Sequence, residues 1–257
     1  EKCECVNVRK VVIVGCGFVG SASAFALMQS GLFSEMVLID VDKDRAEGEA
    51  MDISHGASFA GPMKIYAGGY EDVVDAAIIV ITAGANQKPN ETRLDLVQKN
   101  AKIMTDVVTQ IKEQEYKGIL LIVSNPVDIM TQVAMEVSGF PEHRVFGSGT
   151  VLDSARLRYH LGQHLGVDSR SVHAFVIGEH GDSEIAAWSS ANVSGVPLNS
   201  FCEMRGHFNH EGNTESIEEQ VKNSAYEIIA KKDATYYGIA MVVKRICQAI
   251  VRDEKSI

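Results

Sequence analysis

The stretch KVVIVGCGFVG at residues 10–20 decides the fold of this chain. Its first half is an apolar run rich in β-branched residues, which predicts a buried strand, and its second half is a G-x-G-x-x-G motif that opens a helical pattern. In this context Gly15 permits a tight turn, Gly17 lets the backbone approach a pyrophosphate, and Gly20 lets helix and strand pack closely. The helix N-terminus also presents N–H groups to phosphate. The stretch therefore predicts a dinucleotide-binding unit.

Asp40 ends the second apolar run, twenty positions beyond Gly20. A carboxylate there can accept hydrogen bonds from both ribose hydroxyls and would repel a 2′-phosphate. Taken alone, Asp40 also fits a turn residue at the end of a strand. Together with the glycine motif, it predicts NAD as the cofactor in preference to NADP.

Strand-like and helix-like segments alternate through the first half of the chain. Helical spacing is found at residues 19–29, 94–115 and 127–137, and the apolar runs lie at residues 10–14, 36–40, 63–66, 77–82, 119–123 and 144–147. This alternation predicts parallel strands joined by right-handed crossovers, and strands that are apolar throughout predict a sheet covered on both faces. We therefore expect an α/β fold: a Rossmann doubly wound parallel sheet over residues 1–147.

The pattern changes near residues 147–149. A helix is predicted at residues 151–164, a strand at 172–177, a polar turn at 178–183 and an extended piece at 185–190, followed by helices at 217–231 and 236–252. This order predicts an α+β substrate domain over residues 148–257. Because no apolar strand follows the last helix, we expect this domain to be truncated, and incomplete at its C-terminus.

Composition and charge exclude several classes of function. The chain of 257 residues is 46% hydrophobic and carries a net charge of −10, which argues against nucleic acid as a partner. It has no apolar stretch of transmembrane length and no secretory signal pattern. The five scattered cysteines predict reduced thiols and no metal site. We expect a cytoplasmic protein without a membrane partner.

Hydride transfer to a carbonyl requires a proton carrier, a polarising cation and an anchor for the substrate carboxylate. Candidates for these groups lie in the second half of the chain and at Arg93 in the first half. His180 lies in the polar turn, and because the unperturbed pKa of histidine is about 6.5 it can exchange a proton around neutral pH; Asp153 could hold its ring. Arg156 shares a helical face with Asp153 and can bind a carboxylate through two parallel hydrogen bonds. Arg93 follows the polar loop 84–90, which is suited to a lid. Taken singly, these residues also fit a solvated histidine, a surface ion pair and a loop-tip charge.

With these motifs the chain resembles the L-lactate/malate dehydrogenase family, and within it the bacterial lactate-specific members. The resemblance covers nearly the whole length and rests on residues 14–20, 82–89, 91–97, 124–128, 147–158, 177–182 and 234–237. It implies an NAD-dependent L-lactate dehydrogenase of glycolysis and fermentation, an oxidoreductase in which His180 exchanges the proton beside Asp153. It further implies that Arg93 polarises the carbonyl and that Arg156 binds the substrate carboxylate.

The resemblance also implies further contacts. Asn125 would orient substrate and nicotinamide, and Thr235 would contact the substrate side. The implied cofactor contacts are Gly15, Gly17, Phe18, Val19, Gly20, Asp40, Arg45, Tyr70, Gly84, Ala85, Val123, Asn125 and Ser148.

Gln87 is the position that faces the variable group of the substrate in this family. Malate dehydrogenases have arginine there, which pairs with the second carboxylate of oxaloacetate. A neutral glutamine leaves that charge uncompensated and favours pyruvate, because an unpaired buried charge is costly. The alternatives are a malate or other 2-hydroxy acid dehydrogenase and, because of the short C-terminus, a non-catalytic NAD-binding or assembly protein.

Arg158 and His173 match positions that resemble the fructose 1,6-bisphosphate effector site of bacterial members of the family. Taken alone, they fit a solvated helix arginine and a strand histidine. The resemblance thus implies an allosteric enzyme with this effector, and a homotetramer.

Overall fold

In the computed structural model of the chain, which describes residues 6–85 and 92–256, six parallel strands form one sheet. They are β1 (Asn7–Val14), β2 (Glu35–Ile39), β3 (Lys64–Ala67), β4 (Ala76–Ile81), β5 (Ile119–Ile122) and β6 (Val145–Gly147). Their order across the sheet is β3-β2-β1-β4-β5-β6. The chain therefore changes winding direction between β1 and β4, where a doubly wound sheet opens its ligand crevice. The predicted Rossmann fold is confirmed.

Both faces of the sheet are covered by helices: α1 (Phe18–Ser30), α2 (Lys43–Gly56), α3 (Arg93–Glu113) and α4 (Val127–Ser138). Val11 and Ile13 of β1 point into the core shared with α1 and α2, whereas Val12 and Val14 point into the core shared with α3 and α4. This alternation is why the strand is apolar at every position from Val11 to Val14.

Helix α2 was not predicted from the sequence. Its buried positions are Ala46, Ala50 and Ile53, which is a narrow stripe of mostly small side chains in a segment that is otherwise polar. Asp42 caps its start by accepting a hydrogen bond from the Arg45 N–H at 3.1 Å, and such a cap stabilises a helix whose apolar signal is weak.

The second unit comprises Gly149–Thr235. Its elements are α5 (Val151–Leu165), β7 (Val172–His173), β8 (Val176–Ile177), β9 (Ile185–Ala186), β10 (Asn192–Val193), β11 (Val196–Pro197), α6 (Leu198–Met204) and α7 (His210–Lys232). Leu157 and Leu161 of α5 pack in one apolar core with Ile217 and Val221 of α7. The single strand predicted at 172–177 is two short strands, because β7 pairs with β10 while β8 pairs with β9.

The last helix, α8 (Tyr237–Val251), packs in the first unit. Val243 and Cys247 are fully buried in the same core as Ala24 and Leu27 of α1. The first unit therefore comprises the chain up to Ser148 together with Tyr236–Ile257, a division that differs from the expected second domain over 148–257. The difference arises because the apolar face of α8 indicates burial without indicating which partner covers it. None of the described helices has the length and apolar character needed to cross a membrane.

The start of α1 lies unusually close to the end of β1. A Cβ atom on Gly20 would overlap the carbonyl oxygen of Gly15 and lie 2.8 Å from Thr82 Oγ1. Gly15 itself has a φ of 101°, and a Cβ there would lie 2.6 Å from the Ala83 nitrogen. Both glycines are therefore required by the contact between the glycine loop and the segment after β4.

We predict that Gly20→Ala lowers the free energy of unfolding by about 1–3 kcal/mol, because the added methyl group forces backbone to move in a packed region. Gly17→Ala is the matched control, since a Cβ at Gly17 meets no atom within 4 Å. Urea denaturation of both variants measures the difference. Equal losses in the two variants would contradict the packing argument.

Candidate active site and cofactor cleft

The carboxyl edge of the six-stranded sheet opens into a cleft of about 1600 Å³, lined by the segments that follow β1, β2, β3 and β4. Six of the predicted cofactor residues line it: Gly15, Gly17, Asp40, Arg45, Tyr70 and Gly84. The backbone of Gly17 is open, with no atom within 4 Å of an added Cβ, so a pyrophosphate can approach the start of α1 there. The residues present therefore fit a dinucleotide.

Asp40 has a structural role at this edge as well as its predicted one. Its Oδ2 accepts a hydrogen bond from the Cys16 N–H at 2.6 Å, and its Oδ1 accepts one from the Asp42 N–H at 2.9 Å. The side chain is half-buried and lines the cleft. The carboxylate therefore holds the glycine loop and lines the cleft.

The other predicted cofactor residues lie beside the cleft. Phe18 is 60% exposed at the start of α1 and stacks on Tyr236 with 5.2 Å between ring centroids. Val19 is half-buried and Gly20 is buried beneath the loop. The remaining predicted positions follow the carboxyl ends of β4, β5 and β6, and they are Ala85, Val123, Asn125 and Ser148.

Asn100 on α3 joins two of these segments and was missed by the sequence analysis. Its Oδ1 accepts a hydrogen bond from the Ala85 N–H at 2.8 Å, and its Nδ2 donates one to the Asn125 carbonyl at 2.9 Å. The residue is only 4% exposed. A polar side chain on the buried face of an amphipathic helix was the available signal. Sequence reasoning also missed Val41, Gly69, Thr82 and Ile103, which line the cleft.

The predicted catalytic residues of the second unit come together around one buried carboxylate. His180 Nδ1 lies 2.6 Å from Asp153 Oδ2, and Arg156 Nη1 donates to Asp153 Oδ1 at 2.8 Å. Asp153 and Arg156 stand one helical turn apart on α5, and His180 comes from the turn between β8 and β9. Asp153 is only 2% exposed, so both ion pairs are made to a carboxylate removed from water.

The ionisation of this pair follows from its contacts. The hydrogen bond to Asp153 and a second interaction with Glu184 outweigh burial and raise the pKa of His180 to about 10. Burial works to raise the pKa of Asp153, but the hydrogen bond from His180 and the charges of His180 and Arg156 lower it overall. At neutral pH the site therefore holds an imidazolium beside a carboxylate, which is a proton donor ready for use.

Glu184 is a second acidic group at this site, and the sequence analysis did not select it. Its side chain is 5% exposed, and Oε2 lies 3.7 Å from His180 Nδ1. The only signal in the sequence was its own position, as an acidic residue directly before the short strand Ile185–Ala186. Its burial depends on the fold of the turn that precedes it.

Two of the predicted substrate residues are placed incompletely or not at all, and a third is placed without a contact that tests its role. Gln87 lies outside the described residues. Arg93 begins α3, and its side chain is outside the described part of the chain. Thr235 is half-buried and precedes Tyr236. Their predicted roles stay predictions.

The two predicted effector residues lie in the second unit. Arg158 on α5 donates from Nε to the Ala174 carbonyl at 3.0 Å. His173, the neighbour of Ala174, is exposed on β7. The pKa of Arg158 is lowered by burial.

A doubly wound unit with a glycine-loop cleft, joined to a unit with a buried carboxylate–imidazolium pair, defines a dinucleotide-binding enzyme class with acid–base chemistry. Residues 9–147 match the NAD-binding domain of the lactate/malate dehydrogenase family, and residues 150–257 match its alpha/beta C-terminal domain. The chain belongs to this family. The predictions of the family and of NAD as cofactor are confirmed.

Named relatives are similar over most of the chain. The L-lactate dehydrogenase of Acetivibrio thermocellus is 52% identical over 250 residues, which cover 97% of this chain and 79% of that protein. That of Priestia megaterium is 53% identical over 249 residues, covering 97% and 78%. Solved structures agree. A lactate dehydrogenase enzyme from a Medee basin deep-sea metagenome library superposes with a TM-score of 0.94 at 49% identity, covering 97% of this chain and 79% of that one. The ligands-bound minor L-lactate dehydrogenase of Enterococcus mundtii gives 0.91 at 47% identity, covering 95% and 77%.

The raised pKa of His180 predicts a pH-dependent contribution to stability. The folded state binds this proton more tightly than the unfolded chain, in which histidine titrates at about 6.5. The contribution is therefore complete below that pH and is lost as pH rises towards about 10. We expect the free energy of unfolding of the wild type to exceed that of His180→Gln most at low pH, with the difference shrinking between these values.

Urea denaturation of both proteins at a series of pH values measures this difference. Comparing the two cancels the contributions of titrating groups that do not interact with His180. A difference that stays constant across the range would show that the pair does not hold its proton in the folded state.

Proposed function

We propose that this chain is an NAD-dependent L-lactate dehydrogenase that converts pyruvate, NADH and a proton reversibly into L-lactate and NAD⁺. The observation that carries the proposal is the 2.6 Å contact between His180 Nδ1 and the buried Asp153 carboxylate, with Arg156 on the same carboxylate. The names of the similar proteins support it, since they are called L-lactate dehydrogenases.

His180 performs the proton transfer in this proposal. Asp153 accepts the Nδ1–H and sets the orientation of the ring, so Nε2 is the atom that exchanges a proton with the substrate oxygen. When NADH is bound, its nicotinamide supplies the hydride to the carbonyl carbon. The imidazolium neutralises the developing alkoxide by giving it a proton, and the reverse reaction returns that proton to the neutral ring.

Arg156 anchors the substrate carboxylate. It uses Nη1 on Asp153, and its planar fork offers further N–H groups in a geometry that suits a second carboxylate. Arg93 polarises the carbonyl from the predicted lid, while Asn125 and Thr235 contact the substrate.

Gln87 gives the preference for pyruvate over oxaloacetate. A neutral side chain leaves the second carboxylate of oxaloacetate without a counter-charge. Because burying an unpaired charge in a closed site is costly, we expect the reaction with oxaloacetate to be slower by several orders of magnitude. Malate dehydrogenase is the second candidate on family grounds, and the neutral residue disfavours it.

We expect NADH oxidation with pyruvate to exceed that with oxaloacetate by at least about 10²-fold in kcat/KM, because only one carboxylate finds a counter-charge. Steady-state absorbance of NADH measures both rates. A preference for oxaloacetate would favour malate dehydrogenase. NADH binding without turnover of either acid would leave the binding-protein alternative.

Replacing the proton carrier separates chemistry from binding. His180→Asn is expected to reduce kcat for pyruvate by about 10²–10⁴-fold, because proton transfer in the transition state is lost. NADH affinity, measured by fluorescence titration, is expected to stay the same. Unchanged turnover in this variant would rule out the assigned role.

We also propose that Arg158 and His173 take part in a fructose 1,6-bisphosphate effector site. The hydrogen bond from Arg158 to Ala174 holds the guanidinium near the strand that carries His173, and a guanidinium beside an imidazole N–H donor suits a phosphate. We propose further that the 27.9 kDa chain forms a homotetramer and acts in the cytoplasm, in glycolysis or fermentation.

Addition of fructose 1,6-bisphosphate is expected to lower the KM for pyruvate in the wild type and not in Arg158→Gln. Arg170→Gln is the matched control, since Arg170 is an exposed arginine of the same unit that pairs with Asp168. Steady-state kinetics with and without the bisphosphate give the answer. An effect of equal size in wild type and Arg158→Gln would remove Arg158 from the effector site.

A further inference from the structure

Glu184 completes a cluster of three groups around the imidazole of His180. One ring nitrogen of His180 and one carboxylate oxygen from each of Asp153 and Glu184 lie within 4.8 Å of one another. The two carboxylate side chains are 3% and 5% exposed. The imidazole thus stands against two buried carboxylates.

The position of the Glu184 carboxylate is set by the turn that carries His180. Its Oε2 accepts a hydrogen bond from the Gly181 N–H at 3.4 Å, and its own N–H donates to the Gly181 carbonyl at 3.1 Å. These two bonds hold the charge near the ring. A surface glutamate would instead turn into water and be screened.

Charge balance distinguishes Glu184 from an ordinary turn residue. Asp153 has Arg156 as a partner at 2.8 Å. Among the described residues, the ion pairs of Glu184 include one cation, His180. With a neutral imidazole, two buried carboxylates would share the charge of one arginine. With an imidazolium, the four groups are neutral together, so the charge balance favours protonation of His180.

The other charged groups around Glu184 do not replace this partner. Glu218 and Lys222 of α7 line a small cavity with Glu184, but Lys222 pairs with Glu218 at 3.4 Å. In the turn, Glu179 is exposed and Asp182 accepts a hydrogen bond from Tyr226 at 3.3 Å. The carboxylates among these add negative charge, which also favours the protonated ring.

We propose that Glu184 is a positioning residue for His180: with Asp153 it holds the imidazole between two carboxylates and favours its protonated form, the donor in 2-oxo acid reduction. The reading as donor rests on the proposed function. The direction of the His180 pKa shift agrees with this geometry, since the interactions with Asp153 and then with Glu184 are its largest causes.

The consequence for the reaction is a bias in proton affinity. When His180 gives its proton to the substrate oxygen, the pair of Asp153 and Glu184 keeps only one cationic partner, Arg156 on Asp153. The neutral ring therefore takes up a proton from solvent readily, and reduction remains active at high pH. Lactate oxidation needs the neutral ring, so the same carboxylate moves that reaction to higher pH.

The test is the titration of His180 in the full chain, followed by NMR of its imidazole protons and assigned with His180→Asn. Glu184→Gln keeps the acceptor for Gly181 and removes the charge, so we expect the titration midpoint to fall by about 1–3 pH units. Glu184→Asp retains the charge on a side chain one methylene shorter and is expected to recover at least half, but not all, of that change. Glu179→Gln removes the same charge from an exposed position of the same turn and is expected to move the midpoint by less than half as much.

Kinetics give a second readout. In Glu184→Gln, we expect two limbs of the pH–rate profiles to shift to lower pH by the same amount. These are the high-pH limb of pyruvate reduction and the low-pH limb of lactate oxidation. An unchanged midpoint in Glu184→Gln, or equal changes in Glu184→Gln and Glu179→Gln, would overturn the proposal. If Glu184→Gln does not fold, a midpoint in Glu184→Asp that lies between the wild-type value and about 6.5 supports it, and one equal to wild type overturns it. If the chain reduces no 2-oxo acid, the proposed function fails, while the NMR titration still decides the effect of Glu184 on His180.

Discussion

The contact between the glycine loop and the segment after β4 determines where α1 begins relative to the cofactor cleft. Thr82 Oγ1 donates to the Gly15 carbonyl at 2.8 Å, and Gly20 lies against the same carbonyl without room for a Cβ. Because α1 can therefore start directly above the sheet edge, its first N–H groups open towards the cleft. Asp40 then holds the loop from the neighbouring strand through the Cys16 N–H. The position of α1 and the opening of its first N–H groups to the cleft follow from this close approach.

The second unit is organised around buried charge. Burying carboxylates is costly unless each has a partner, and here the partners are also the groups that the chemistry needs. Arg156 and His180 satisfy Asp153, while His180 also faces Glu184. The same arrangement that makes burial tolerable keeps the imidazole protonated. Stability and proton donation are thus two results of one set of contacts.

Much of the architecture was predictable from local patterns. The six apolar runs became the six strands, within a few residues at each end, because strands covered on both faces are apolar at every position. Helix α2 was missed since small alanines form most of its buried stripe. The segment 172–177 was read as one strand because local sequence does not show that its two ends pair with different partners. Helix α8 was recognised as a helix, but its packing on α1 depends on a surface far away in sequence.

The sequence by itself determined the dinucleotide motif, the acidic residue after β2, the residue types of the catalytic group and the neutral Gln87, since these are properties of residue identity and spacing. Only the tertiary structure decided that Asn100 joins the segments after β4 and β5 and that Glu184 stands beside His180. Both are polar residues whose role arises from burial next to a particular partner. Burial and distance between charges are set when the chain folds, and a linear pattern does not contain them.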